Sequence, residues 1–182
     1  MARDDANGMS SVLSSRAVQP GTINTGRPHE LDVFIAMADA LGIDCHRTNT
    51  HVLENAIWQV TYQPSELRHC FGKYGLMPDI RLLNKQTNRA MYFEAKFQGH
   101  HGNAEERAGK LFTHHFVDWF MGKTGMPYHA YRLIFTGALA TDAKYTDKFQ
   151  YLCDSDEYLC WDGSTSQMRE YLDLLCQRYL FA

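Results

Sequence analysis

The chain has 182 residues, 45% of them hydrophobic and 21% charged, a length and composition that suit one folded domain and exclude an intrinsically disordered chain. Its formal net charge of −3 argues against a general nucleic-acid binder, although one basic cleft in an acidic protein can still hold DNA.

Residues 1–27, rich in Ser, Asn, Gly and Thr, read as an irregular arm. Pro28 suits the first turn of a helix. Leu31, Phe34, Ile35, Ala38 and Leu41 then recur at helical spacing up to Gly42, predicting an amphipathic helix of about three turns. Over 51–77 the pattern is mixed: HVLENAIWQVTYQ reads as helix running into strand, and PSELRHCFGKYG as a capped short helix before a loop. Residues 79–98 read as strand, polar turn and strand, followed by the glycine-rich joint QGHHGN. A helix is predicted over 103–121. Asn103 would cap it, Glu106 would complete a capping box, and Leu111, Phe112, Phe116, Trp119 and Phe120 form a broad apolar side. AYRLIFTG (130–137) has the composition of a buried strand, TDAKYTDKFQYL that of a helix capped near Thr141, and EYLCW that of a short strand. A terminal helix, STSQMREYLDLLCQRYL, carries Met168, Tyr171, Leu172, Leu175 and Tyr179 on one stripe. Strands interleaved with helices predict an α/β (α+β) fold, a mixed sheet flanked by helices.

No apolar run is long enough to span a bilayer, and the start MARDDANGMSS lacks a basic and then apolar leader, so neither export nor a membrane span is expected. Five cysteines, Cys45, Cys70, Cys153, Cys160 and Cys176, are odd in number and show no C-x-x-C spacing. That predicts reduced thiols and a cytoplasmic setting.

The chemistry concentrates in PDIRLLNKQTNRAMYFEAKFQG, residues 78–99. With the turn centred between Gln86 and Thr87, Asp79 falls opposite Glu94. Strand alternation puts Tyr92, Glu94, Lys96 and Gln98 on one face and Met91, Phe93, Ala95 and Phe97 on the other. The second set is core. The first presents acids, an amine and an amide on a rigid strand edge, where burial without partners is costly. A divalent cation is such a partner: Asp79 and Glu94, with the main-chain carbonyl of Ala95 as a third donor, are a hard-oxygen set of the kind Mg²⁺ accepts. Lys96 alongside could orient or deprotonate a water and offset charge on a phosphorane-like transition state, which is phosphodiester hydrolysis. An exposed strand face of unrelated charges is the competing account.

The string PDI…FEAKFQG…GNAEERAGKLF resembles the PD-(D/E)xK nucleases, specifically the EcoRI/MunI-like type II restriction endonucleases, over roughly residues 78–181. The length fits a single domain, 1–182, and the resemblance implies a restriction-endonuclease-like core in it, with Asp79, Glu94 and Lys96 as the catalytic set and Mg²⁺ as cofactor, Mn²⁺ being able to substitute. It also implies that Gly102, Asn103, Ala104 and Arg107 form the element that reads bases. An AATT core cut to leave 5′ overhangs, a homodimer on double-stranded DNA, no membrane partner and a prokaryotic or phage origin follow from the same likeness. Asn and Arg side chains suit adenine and purine edges in the major groove. Gln98 is a further candidate for base or backbone contact, His100 and His101 are candidates for phosphate contact, and Lys110, one turn past Arg107, is another. The stretch from Lys96 to Asn103 is shorter than in EcoRI or MunI, and His101 stands where MunI has Arg. The same catalytic pattern also serves nucleases of repair or branched DNA, and a non-catalytic DNA-binding module would share the fold. Glu30 and Glu54 are each candidates for an additional carboxylate. His114 and His115 read as surface residues, because tandem histidines point apart and lack zinc spacing.

Overall fold

Pro28 does sit in the first turn of a helix, α1 (Arg27–Ala40). The computed structural model describes residues 27–45, 51–68, 77–99 and 102–181; nearly all of the expected N-terminal arm, together with Cys70, His100 and His101, lies outside them. α1 ends where Ile43 N–H donates to Ala38 O at 2.9 Å around Gly42. It buries Val33, Phe34, Met37 and Ala38 completely, while Leu31, Ile35 and Leu41 of the predicted stripe are only partly covered. The buried side is broader than the stripe because α1 is packed against both the sheet and the last helix.

Strands β1 (Val52–Glu54) and β2 (Trp58–Tyr62) form a hairpin where helix running into strand was expected. Asn55 decides this. Its Oδ1 accepts from the N–H groups of Ile57 at 2.9 Å and Trp58 at 2.8 Å, a side-chain turn that stops helix propagation. β3 (Ile80–Asn84) and β4 (Arg89–Gln98) form the hairpin read from sequence, with Ile80 opposite Phe93 and Asn84 opposite Arg89. Asn84 shapes its turn by accepting from Gln86 N at 2.9 Å and Thr87 N at 3.2 Å.

The sheet then changes direction. β4 pairs in parallel with β5 (Tyr131–Gly137), and β5 in parallel with β6 (Tyr158–Cys160), giving the order β1-β2-β3-β4-β5-β6. Parallel neighbours need crossovers. The first contains α2 (Ala104–Gly109), a 3₁₀ turn (Lys110–Phe112) and α3 (His114–Thr124); the second contains α4 (Ala138–Thr141) and α5 (Ala143–Leu152). The single helix expected over 103–121 is broken at Thr113, whose extended backbone (ψ 145°) and Oγ1, accepting from Phe116 N at 3.2 Å, start α3 afresh. Asp142 rather than Thr141 caps α5, by accepting from Lys144 N at 2.9 Å. The last helix, α6 (Thr165–Leu175), is capped by Ser164 and buries the predicted Met168, Tyr171, Leu172 and Leu175. Tyr179 lies in the wider turn Cys176–Leu180 that follows.

Helices thus cover both sheet faces. Phe34 and Met37 of α1 join Ile80, Leu82, Met91, Phe93 and Leu172 in one core; Ala108, Leu111, Phe120 and Phe149 join Tyr92, Leu133 and Phe135 in the other. β4 is therefore an internal strand covered on both faces, not the rigid edge inferred from its charges. Its polar residues require partners. Among the described residues no helix is long and apolar enough to cross a membrane, and Cys45, Cys153, Cys160 and Cys176 are free.

Candidate active site

The ladder between β3 and β4 positions the acids. Beyond Ile80, Asp79 N–H donates to Phe93 O at 2.9 Å, and Asp79 O accepts from Gln63 N at 2.7 Å, so the residue is held by main chain on both sides. Asp79 thus lies just past the last ladder pair, Ile80–Phe93, next to where β4 carries Glu94. The strand has run out of ladder here. The Ala95 N–H, which would otherwise lack a strand partner, donates to Asp79 Oδ2 at 2.8 Å. Because N–H and C=O of one strand residue project to the same side, the Ala95 carbonyl faces this gap as well.

Glu94 is 6% exposed. Its Oε2 accepts from the Tyr131 hydroxyl at 3.1 Å, and its Oε1 is ion-paired with Lys96 Nζ. Burial pushes the Asp79 carboxyl up to about 8, with the charges of Glu94 and Glu30 adding to the rise and Lys96 and the Ala95 N–H opposing it. Burial also raises Glu94, against the pull of Lys96 and Tyr131 and with a further push from Glu30.

Glu30 is the upstream acid that joins this gap. It projects from the first turn of α1 and accepts from the Tyr62 hydroxyl at 3.1 Å, and Tyr62 pairs with Ile80 beside Asp79. The neighbouring His29 ring lies flat on Phe97, centroids 3.6 Å apart, seating the α1 tip against the end of β4. Glu54 is elsewhere: it accepts from Gln59 at 2.9 Å and pairs with Lys85 at 3.5 Å near the outer strand. Among the described residues no group of three or more His, Cys, Asp and Glu side chains forms a ready metal cage.

Past the end of β4 lies a cleft of about 320 Å³ lined by Phe97, Gln98, Gly99, Gly102, Asn103, Ala104 and Arg107. Of these, Gly102, Asn103 and Arg107 are exposed, and so is Lys110 just past α2. Two of the residues expected to face DNA point inward instead. Ala104 is 2% and Gln98 3% exposed, and the Gln98 amide is taken up by Ala104 N–H and the Tyr145 hydroxyl. Gln98 was read as outward because strand alternation alone cannot see that α2 and α5 cover that face. Asn103 occupies the cap position of α2, yet its side chain makes no capping bond, so the expected capping box with Glu106 does not form. His101 lies outside the described residues. His114 and His115 are exposed, and His114 pairs with Asp118 at 3.2 Å, one turn along.

Tyr131, Tyr62 and Tyr145 were not singled out from sequence. Each is a hydroxyl on an apolar-looking strand or helix, and no spacing rule links it to an acid or amide far along the chain.

The sequence profile described as "Type II restriction enzyme MunI" matches residues 47–180. The chain belongs to the MunI family of type II restriction enzymes. MunI-family membership makes it a site-specific DNA endonuclease, the class expected from Asp79, Glu94 and Lys96. The fold agrees: the crystal structure of MunI restriction endonuclease in complex with cognate DNA superposes with a TM-score of 0.50 at 18% identity, covering 76% of this chain and 91% of that one. No curated protein matches.

Proposed function

We propose that this MunI-family enzyme is a homodimer that cuts duplex DNA in a Mg²⁺-dependent reaction at a short palindrome containing AATT, leaving 5′ overhangs. The observation that carries the reading is the meeting of Asp79 and Glu94 in one gap beside Lys96, a short step along β4 from the exposed Asn103 and Arg107. That the structurally similar MunI is seen with cognate DNA supports duplex DNA as the substrate.

The donor set fits a hard cation. Two carboxylates and the Ala95 carbonyl face the gap, and burial with like-charge crowding disfavours leaving both acids ionised there alone. Mg²⁺ bound there by Asp79, Glu94 and Ala95 O would supply positive charge against the scissile phosphate and make an attacking water more acidic. The remaining work belongs to the chain. Lys96, an ammonium paired with Glu94, orients the attacking water and offsets charge building on the phosphate oxygens. Tyr131 fixes the Glu94 carboxylate through its hydroxyl. At the cleft, the Asn103 amide pairs with adenine N6 and N7, Arg107 donates to purine acceptors, and Lys110 meets a phosphate. A palindrome read this way calls for two subunits related by a two-fold axis, each cutting one strand.

The test is to incubate the protein with plasmid and Mg²⁺ and sequence the ends. Discrete fragments sharing 5′ AATT ends are expected. Branch-selective nicking, or binding without cutting, would replace this reading with a repair nuclease or a binding module.

A further inference from the structure

Gln98 follows Glu94 and Lys96 in the same row of β4 side chains, and it is almost fully buried. Its Oε1 accepts from Ala104 N–H at 2.7 Å and Glu105 N–H at 3.3 Å, while its Nε2 donates to the Tyr145 hydroxyl on α5 at 2.6 Å. First-turn N–H groups of a helix have no partner within the helix and are normally met by the cap residue. In α2 they are met from the catalytic strand. Asn103, at the cap, is left exposed with no capping bond. The backbone is shaped to allow it. Gly102 has φ +154°, and a Cβ there would come within 3.2 Å of Gln98 Cγ. Gly137, paired with Gln98 on β5, has φ +66°, and a Cβ there would lie 2.5 Å from the Gln98 carbonyl oxygen.

The geometry points to Gln98 as a positioning residue for sequence specificity: it fixes the reading tip, residues 102–107, to the strand that carries Glu94 and Lys96. This rests on the endonuclease reading above. Two consequences follow from the bonds named. Because Gln98 supplies the cap, the donors and acceptor of the Asn103 amide all stay available for a base edge. Because Gln98 and Lys96 share one rigid strand, a tip displaced by a wrong base pulls on the row that holds the catalytic acid and amine. Discrimination is then set by a side chain that touches no base.

The experiment compares kcat/KM of the full-length protein with Mg²⁺ on a duplex holding its preferred site and on duplexes with one base pair of that site changed. Gln98→Met keeps the volume but removes the acceptor and donor; it is expected to lower the ratio of preferred to altered rates by about tenfold, the scale of one good base contact. Gln98→Glu keeps an acceptor for Ala104 N–H and can accept a hydrogen bond from the Tyr145 hydroxyl, and should bring the ratio back to within about threefold of wild type. Hydrogen exchange at the Ala104 and Glu105 amides should quicken in Gln98→Met and recover in Gln98→Glu. Equal slowing on all duplexes with the ratio unchanged, or Gln98→Glu behaving like Gln98→Met, would overturn the assignment. Should Gln98→Met fail to fold, Tyr145→Phe, which removes only the outer brace, decides: an unchanged ratio overturns it and a partial fall supports it. Wild-type protein that gives no discrete fragments overturns the endonuclease reading itself and this coupling with it, an outcome distinct from site-specific cutting that is indifferent to Gln98.

Discussion

The acid gap and the reading tip adjoin each other on β4 but are held in different ways. Asp79 is fixed by main-chain bonds to Phe93 and Gln63, and its carboxylate by the Ala95 N–H, so its position comes with the β3–β4 register. The tip at 102–107 has no ladder; it is held by side chains, the Gln98 amide on Ala104 and Glu105 N–H, Lys148 of α5 on the Glu105 carboxylate, and the burial of Ala104. A position set by sheet register tolerates substitution around it, whereas one set by a few side-chain bonds depends on each of them. The chemistry of this fold is thus built on its most robust feature and its selectivity on a more delicate one.

Substitutions on either side of that divide should separate rate from discrimination. The largest effect belongs to the gap: Lys96→Ala should slow cutting by about 10³-fold or more with duplex binding retained, as measured by single-turnover cleavage and gel shift. Full turnover would remove Lys96 from the reaction. At the tip, Arg107→Ala should cost about 10- to 100-fold in preference for the site over single-base variants, while bulk cleavage of the altered duplexes changes little. Asn103→Ala should reduce discrimination about tenfold yet leave unfolding free energy within about 0.5 kcal/mol of wild type, because Gln98 and not Asn103 caps α2. A loss near that of a normal cap, about 1 kcal/mol, would contradict that division.

The smallest effect is a pH dependence confined to the gap. The Asp79 carboxyl sits at about 8 in the folded chain, above its ordinary value, so the folded state holds a proton that the unfolded chain has released. Stability is then full below the ordinary carboxylate range and is lost as pH rises through about 8. The metal-free protein should melt on the order of 5 °C lower at pH 8 than at pH 5, and Asp79→Asn should flatten the difference. A slope that survives Asp79→Asn would place its origin elsewhere.

The gap was the most legible part of the sequence, because strand alternation and a short polar turn fix which residues oppose each other without further information. The helix over 103–121 was less so: Thr113 interrupts a continuous apolar pattern by offering its hydroxyl to Phe116 N–H, which periodicity does not register. Asn55 misled in the same manner, its side chain making a turn inside an ambiguous apolar run. Gln98 and Glu30 could be placed only with tertiary contacts in hand, since their partners Tyr145 and Tyr62 lie on other elements.

The buried Asn84 amide and the Thr87 hydroxyl both donate to Leu180 O, at 3.3 and 2.8 Å, and Arg89 donates to Tyr179 O at 3.2 Å. The segment Tyr179–Leu180 therefore clasps the very bend that aligns the two acids. A backbone shift of this segment would loosen the clasp, and the damage would register at the opposite end of the hairpin, in the spacing of Asp79 and Glu94.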